Sequence, residues 1–466
     1  MISGETAAPA IEQQPAPPRK GPFEGLFKLM LRDTNIVVAS VIANNLLRAI
    51  SSMILTRLLV PEVFGISGVI ASVQFTITLV TDVGFQAFIV RHKEGDNPRF
   101  LDAVWTIAVV RSLFLAAVLA ASSGALAHLL GKPELTPLIA VSSLTFVIDA
   151  TTSLSLICAL RRRLILRLSS VEIIAQVTQI IVSSAAAWEW RNYWAILCGI
   201  LASGVVKSVL SYAMFPDSVR RLHVDMKIVR ELSSFARYIT GSSIIFMLIS
   251  QCDKLAFARI MPLDHFGFYV LAGNLAGAPL AFATAFADRV LFPAYAQLFH
   301  QDHPDLRREY YARRRLPSLL YSFAVGGIIG SAWLIVGLLY DHRYATAALY
   351  LQILSISTLF SLASSAANET LTATGRVSAT FQASVAKMIW LLLAGTSGYF
   401  LYGQIGLVVA VGLMELPAMG FKWVRMHHAG LLDLKQELLF VAVGPVGILL
   451  GLAATRLAEL VLGRSF

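Results

Sequence analysis

Long apolar segments follow one another along almost the whole chain, and most are about 20 to 25 residues long. A helix of about 20 apolar residues spans the hydrocarbon layer of a bilayer. Hydrophobic residues make up 56% of the 466 and charged residues only 14%, whereas a soluble domain carries about 25% charged residues. The segments lack the alternation typical of barrel strands. We therefore predict an all-α integral membrane protein, whose helices satisfy the backbone hydrogen bonds within lipid.

The apolar segments define twelve core spans. We place these spans at 35–60, 65–90, 103–126, 136–160, 168–189, 192–215, 237–260, 265–292, 316–340, 345–373, 377–402 and 404–425. A thirteenth apolar segment covers 437–462. We predict that it crosses once, with a shallow hairpin at Gly444, Pro445 and Gly447 as the alternative.

The spans divide the chain into two lobes. We place a six-helix lobe at 35–215 and a second at 237–427, joined by a cytoplasmic linker at 216–236. Residues 1–34 begin with a Pro-rich stretch that predicts a disordered cytoplasmic tail, and they end with an apolar face that favours an interfacial helix. Residues 428–466 hold the additional C-terminal transmembrane segment.

Basic residues alternate between the two sides of this map. With the N-terminus in the cytoplasm, 25 lysines and arginines fall on cytoplasmic segments and 6 on outer segments. Short cytoplasmic loops of membrane proteins carry an excess of such residues. The pattern therefore predicts a multi-pass protein with a cytoplasmic N-terminus, and it explains the net charge of +10 without a nucleic-acid partner.

An internal repeat relates the two halves. Residues 57–65 read Arg-Leu-Leu-Val-Pro-Glu-Val-Phe-Gly, and residues 259–267 read Arg-Ile-Met-Pro-Leu-Asp-His-Phe-Gly, at an offset of 202. Asp82 closes the second span much as Asp288 closes the eighth. Parallel repeats enclose a substrate path between them. The alternative is that Arg, Pro and Phe-Gly are ordinary residues of helix ends.

Ionisable residues inside spans are costly in lipid and are therefore functional candidates. Arg48 lies near the middle of the first span, with Asn44 and Ser51 on the same helix face. Lys254 lies on a similar serine-bearing face of the seventh span. Because these spans are repeat partners, we expect both faces to line one central cavity. A guanidinium there suits a phosphate, since it binds two oxygens at once.

Five further charged residues within the spans are candidates for a functional role. Arg111, Lys207 and Lys387 are candidates for the same path, and the alternative is that each forms a salt bridge between neighbouring helices. Asp149 and Glu415 are acids at mid-span, and they are candidates for carrying a coupled ion.

A second group of charged residues lies close to the helix ends. We expect these residues to anchor loops or gates: Arg57, Asp82, Arg259, Asp288 and Arg289.

Motifs for enzymatic chemistry are missing from the sequence. It contains no phosphate-binding Gly-x-x-x-x-Gly-Lys-Ser/Thr loop and no His-Glu-x-x-His zinc motif. The three cysteines lie far apart in apolar segments, without disulfide or zinc spacing. We therefore predict a transporter rather than an enzyme, with no cofactor and no metal.

Paired motifs in the two halves resemble those of a known family. In the first half they are Thr-Arg-Leu-Leu-Val-Pro-Glu-Val-Phe-Gly at 56–65, Asp-Val-Gly-Phe at 82–85 and Ile-Val-Arg at 89–91. In the second half they are Asp-Lys at 253–254, Phe-Gly-Phe-Tyr-Val-Leu-Ala at 266–272 and Leu-Phe-Pro-Ala at 291–294. These motifs are similar to those of polysaccharide transporters, a branch of the multidrug/oligosaccharidyl-lipid/polysaccharide flippase superfamily. The likeness is strongest to O-unit flippases of the colanic-acid-exporter type.

The resemblance implies two six-helix lobes in a V-shaped, pseudo-two-fold arrangement in the bacterial inner membrane. It implies transport of oligosaccharide units linked to undecaprenyl diphosphate, from the cytoplasmic to the periplasmic leaflet, by alternating access. We expect a proton gradient, a sodium gradient or the membrane potential to drive transport, and a polysaccharide polymerase and co-polymerase as partners. The thirteenth segment departs from the twelve-helix pattern. The cavity arginines of lipid II flippases have no residue-by-residue match here, so lipid II is a less favoured substrate.

Two other functions remain as alternatives. A multidrug or cation antiporter of the same superfamily would need an acidic pocket, and the cations at mid-span argue against it. A polysaccharide polymerase or ligase would need a long outer loop, which the predicted topology lacks.

Overall fold

The computed structural model describes residues 22–162, 164–215, 221–292, 306–374 and 376–463, together with residue 295. These residues are predominantly helical and include no strand, which confirms the predicted all-α fold. Most of the predicted N-terminal tail, residues 1–21, lies outside the described part. Residues 23–33, predicted as a separate interfacial helix, are continuous with the first helix.

The helices follow in the order that the spans predict. In the described part of the first lobe they are α1 Pro22–Leu58, α2 Pro61–Val80, α3 Phe85–Arg91, α4 Pro98–Leu129, α5 Thr136–Ser142, α6 Leu144–Thr151, α7 Ser155–Arg161, α8 Ile165–Trp190 and α9 Trp194–Ala213. In that of the second lobe they are α10 Met226–Ile260, α11 Leu263–Phe286, α12 Leu306–Gly330, α13 Ala332–Leu339, α14 Thr346–Ala373, α15 Val377–Gly412, α16 Glu415–His428 and α17 Leu434–Leu462. Short 3₁₀ turns lie at Pro133–Leu135 and His342–Tyr344, and a π turn at Ala287–Leu291.

Ten stretches of the described chain are long and apolar enough to cross a membrane. The number rises to twelve if each of two bent helix pairs counts as one further span. One bend, of 46°, divides α10 between Leu248 and Asp253. The other, of 67°, separates α12 from α13. The predicted linker is shorter than expected, because residues 226–236 already belong to α10.

The stretch Ser378–His428 contains 51 residues, about twice the length that one crossing needs. Gly403 interrupts it with φ 62° and ψ −138°. The two limbs then run antiparallel, because Trp390 Nε1 donates a hydrogen bond to the Ala410 carbonyl at 2.9 Å. The stretch therefore holds the two separate spans that the sequence predicts there.

The second span is shorter than predicted. Helix α2 ends at Val80 rather than near residue 90. Gly84 has φ 71°, a left-handed conformation that glycine adopts without steric cost. The chain turns there into the short helix α3, so the predicted span joins two helices.

The lobes meet along α2 and α11. A Cβ added to Gly65 would lie 1.9 Å from the Leu263 carbonyl oxygen, and one added to Gly267 would lie 2.1 Å from the Pro61 carbonyl oxygen. These glycines are the last residues of the two repeated Phe-Gly motifs, so the repeat places both copies at one close crossing. We call this end of the bundle the Pro61 end and the opposite end the Asp82 end.

The C-terminal segment forms one continuous helix, α17, despite Pro445 within it. It packs along α12, where Gly326 and Gly330 approach the α17 carbonyls of Gly444 and Ile448. The hairpin considered as the alternative is therefore not formed. The glycines let the backbones of α12 and α17 come into contact along the length of the two helices.

Candidate functional site

Helix α1 carries Arg48 on the side that faces the second lobe. Leu46 and Ile50 are 60% and 47% exposed. Arg48 is two residues from each and so lies roughly 200° around the helix from them. Ser52, one turn further on the Arg48 side, has its Oγ 3.3 Å from the hydroxyl of Tyr340 in the second lobe. Arg48 is exposed on this side of the helix. We call the space between the lobes beside Ser52 and Tyr340 the interlobe space.

Two polar side chains accompany Arg48 on α1. Asn44 and Ser51 are half-buried and lie one turn from Arg48 on the same side of the helix. Among the described residues, Arg48 makes no ion pair.

Helix α10 contacts α2, and Lys254 lies on the limb of α10 beyond the bend. Ser243, on the limb before the bend, donates a hydrogen bond from Oγ to Asp82 Oδ2 at 2.9 Å. Lys254 is half-buried. Its neighbour Asp253 accepts a hydrogen bond from the Tyr269 hydroxyl at 2.7 Å, so this carboxylate is held by α11. No ion pair joins Lys254 to another residue in the described ranges.

Arg111 is bound to the C-terminal end of α2. Its Nε donates to the Thr81 carbonyl at 2.7 Å, and its Nη2 donates to the Thr78 carbonyl at 3.1 Å and to Thr81 Oγ1 at 2.9 Å. The last carbonyls of a helix lack partners within the helix. Arg111 therefore supports the end of α2, and little of its guanidinium is left for a substrate.

Lys207 and Asp149 interact electrostatically inside the first lobe. Lys207 and Asp149 are both exposed. Arg111 also lies within electrostatic range of this carboxylate. The three residues form a charged group in the first lobe.

The second lobe contains a buried charge cluster. Lys387 donates a hydrogen bond to Glu415, which also accepts one from Ser364 Oγ at 3.0 Å. Lys422 donates to the Ser364 carbonyl at 3.1 Å and to its Oγ at 2.9 Å. The predicted path residue Lys387 and the predicted coupling residue Glu415 are therefore partners of each other.

Lys422 is the residue of this cluster that the sequence reasoning missed. It lies within α16 and is 6% exposed. Its partner Ser364 precedes it by 58 residues, and Asp149 precedes Lys207 by the same 58 residues.

The predicted loop anchors differ in their surroundings. Asp82 accepts a hydrogen bond from the Gly84 amide at 2.9 Å in addition to the one from Ser243. The Arg57 and Arg259 side chains are exposed at the Pro61 end. The side chains of Asp288 and Arg289 lie outside the described part of the structure.

A cavity of about 580 Å³ lies at the Asp82 end, between α3, α7 and α10. Its lining includes Asp82, Phe85, Ile157 and Ile239 but no lysine or arginine among the described residues. These lining residues therefore supply no cation to a diphosphate.

Residues 54–349 match the family model described as polysaccharide biosynthesis protein. The chain belongs to this family. It is 24% identical over 370 residues to the lipopolysaccharide biosynthesis protein WzxC of Escherichia coli (strain K12), a match that covers 78% of this chain and 74% of WzxC. It is 23% identical over 254 residues to the succinoglycan biosynthesis transport protein ExoT of Rhizobium meliloti (strain 1021), covering 54% of this chain and 51% of ExoT.

Solved structures share the fold of this family member. The inward closed conformation of the lipid II flippase MurJ matches with a TM-score of 0.70 at 11% identity, over 92% of this chain and 93% of MurJ. An inward-facing multidrug resistance transporter of the MATE family in the MOP superfamily matches with a TM-score of 0.65 at 13% identity, over 83% of this chain and 95% of the transporter. The predicted superfamily and two-lobed fold are confirmed. The protein is a multi-pass membrane transporter rather than an enzyme, as predicted.

Proposed function

We propose that this polysaccharide biosynthesis protein flips oligosaccharide units linked to undecaprenyl diphosphate from the cytoplasmic to the periplasmic leaflet of the bacterial inner membrane, with its N-terminus in the cytoplasm. The observation that carries the proposal is Arg48, an exposed arginine without an ion-pair partner in the described chain, on the side of α1 that faces the second lobe. An uncompensated guanidinium within the membrane is costly, and a diphosphate that enters the interlobe space compensates its charge.

The headgroup would first meet Arg48, with Asn44 and Ser51 beside it as hydrogen-bonding groups for phosphate or sugar. Lys254 would supply a second positive charge from the seventh span. Arg111 and Lys387 would bind the headgroup less directly, because each already donates hydrogen bonds to protein groups, and Lys207 would act from beside Asp149. They would shape the electrostatic potential around the path, while the polyprenyl tail stays in the lipid.

We propose that an ion gradient or the membrane potential drives the cycle, without a cofactor. Asp149 suits ion coupling better than Glu415, because Asp149 is exposed whereas Glu415 is buried against Lys387 and Ser364. We also propose that a polysaccharide polymerase and co-polymerase receive the product. The alternative of a cation antiporter requires a site that attracts cations, and Arg48 repels them.

The proposal is tested with purified protein in proteoliposomes that contain undecaprenyl diphosphate bearing a labelled oligosaccharide. A membrane-impermeant glycosidase reports how much substrate reaches the outer leaflet. We expect Arg48→Glu to slow flipping by about tenfold or more, since a hydrogen bond to a charged group contributes about 1.5–3 kcal/mol and the new carboxylate also repels the diphosphate. Arg48→Lys should retain part of the activity, because it keeps the charge but loses the bidentate geometry.

Arg376→Glu is the matched control, since it makes the same charge change at an exposed position before α15. It should flip substrate at the wild-type rate. If Arg48→Glu and Lys254→Glu both flip at that rate, the diphosphate does not pass these residues and the proposal fails.

A further inference from the structure

A loop of the first lobe holds the end of α10. Lys132, between α4 and α5, is only 9% exposed, and its Nζ donates a hydrogen bond to the Met261 carbonyl at 2.9 Å. Gly131 beside it has φ 68°, and a Cβ there would lie 2.5 Å from Arg259 Nη1. The last limb of α10 belongs to the second lobe through the bond between Asp253 and Tyr269, so the Lys132 contact joins the two lobes.

A loop of the second lobe holds the end of α1 in the same way. Tyr344, between α13 and α14, is fully buried, and its hydroxyl donates to the Leu59 carbonyl at 2.7 Å. Its ring packs edge-on against Phe64 and Phe268. Arg343 adds a longer contact of 3.4 Å from Nη2 to the Arg57 carbonyl.

The two contacts are equivalent under the internal repeat. Leu59 and Met261 are 202 residues apart, the same offset that relates Gly65 to Gly267. Each accepting carbonyl lies just beyond the last residue of its helix, where intrahelical donors end. Each donor comes from the loop between the third and fourth spans of the opposite lobe. The reciprocal pair therefore flanks the crossing of α2 and α11.

Separation of the lobes at the Pro61 end would break both hydrogen bonds. It would leave two helix-end carbonyls without their donors and would move a buried ammonium and a buried hydroxyl away from their acceptors. Both effects raise the free energy of the open state relative to the closed state.

We propose that the Lys132–Met261 and Tyr344–Leu59 hydrogen bonds form a two-part latch, which sets how often the transporter opens at the Pro61 end. This inference rests on the alternating-access cycle of the proposed function. Because the two hydrogen bonds involve different residues, each contributes separately to the free-energy difference between the closed and the open state.

The test measures opening directly by double electron–electron resonance in proteoliposomes. Spin labels at Leu129 and Leu338, which are 71% and 53% exposed, report the distance between the lobes at the Pro61 end after the native cysteines are replaced. We expect Lys132→Met and Tyr344→Phe each to raise the ratio of open to closed molecules by about fivefold, the size of one net hydrogen bond. The double variant should multiply the two effects.

Tyr321→Phe is the control, because it removes a buried hydroxyl that bonds to the Thr358 carbonyl at 2.9 Å within the second lobe. It should leave the distance distribution unchanged. If the Lys132→Met and Tyr344→Phe distributions match the wild type, the latch is overturned even where flipping depends on Arg48. If the variants open as expected while the lipid-linked substrate is not flipped, the latch stands and the proposed function fails.

Discussion

The crossing of α2 and α11 leaves no room for a side chain at Gly65. A methyl carbon there would lie 1.9 Å from the Leu263 carbonyl oxygen, so the helices must separate by about 1.5 Å to restore van der Waals contact. Both partners are backbone, and no side chain can rotate away. Overpacking costs about 1–3 kcal/mol, and this rigid contact belongs at the upper end. Alanine has a higher helix propensity than glycine, which offsets about 1 kcal/mol of this cost. We therefore expect Gly65→Ala to lower the free energy of unfolding by about 2 kcal/mol.

The assay compares Gly65→Ala with Gly273→Ala, which lies on α11 with nothing within 4 Å of an added Cβ. Thermal unfolding in detergent should show a lower melting temperature for Gly65→Ala and an equal or higher one for Gly273→Ala. The spin-label distance at the Pro61 end should lengthen only for Gly65→Ala. Equal melting temperatures together with equal distances in the two variants would refute the close crossing.

Two further predictions concern charged groups. Glu437→Gln should destabilise the protein by about 3–5 kcal/mol, because it leaves Arg314 charged and buried. Arg313→Gln removes only an exposed ion pair and should cost less than about 1 kcal/mol. Thermal unfolding of both variants checks the difference. Burial raises the pKa of Asp96, but hydrogen bonds from two neighbouring arginines outweigh it and hold the pKa below its usual range. The stability contributed by Asp96 is therefore present above its unfolded pKa of about 4 and is lost as pH falls through its folded pKa. Asp96→Asn should therefore reduce the fall in melting temperature at acid pH. An unchanged fall would contradict this.

The presence and order of the spans could be predicted from the sequence, because bilayer thickness fixes how many apolar residues a crossing needs. The two spans on either side of Gly403 and the repeated Phe-Gly motifs could be identified in this way. The ends of broken spans could not, since Gly84 and the bend between α12 and α13 depend on local backbone geometry.

The role of each charged residue was decided only by the tertiary structure. Arg48 and Arg111 both appear in the sequence as arginines within spans, yet Arg48 is exposed towards the other lobe while Arg111 is bound to the carbonyls of α2. Lys132 was an outer-loop charge in the sequence, and the fold buries it against Met261. Hydrophobic length is a local property of the chain, whereas the surroundings of a charged residue within a span depend on partners on other helices, from about 30 to more than a hundred residues away.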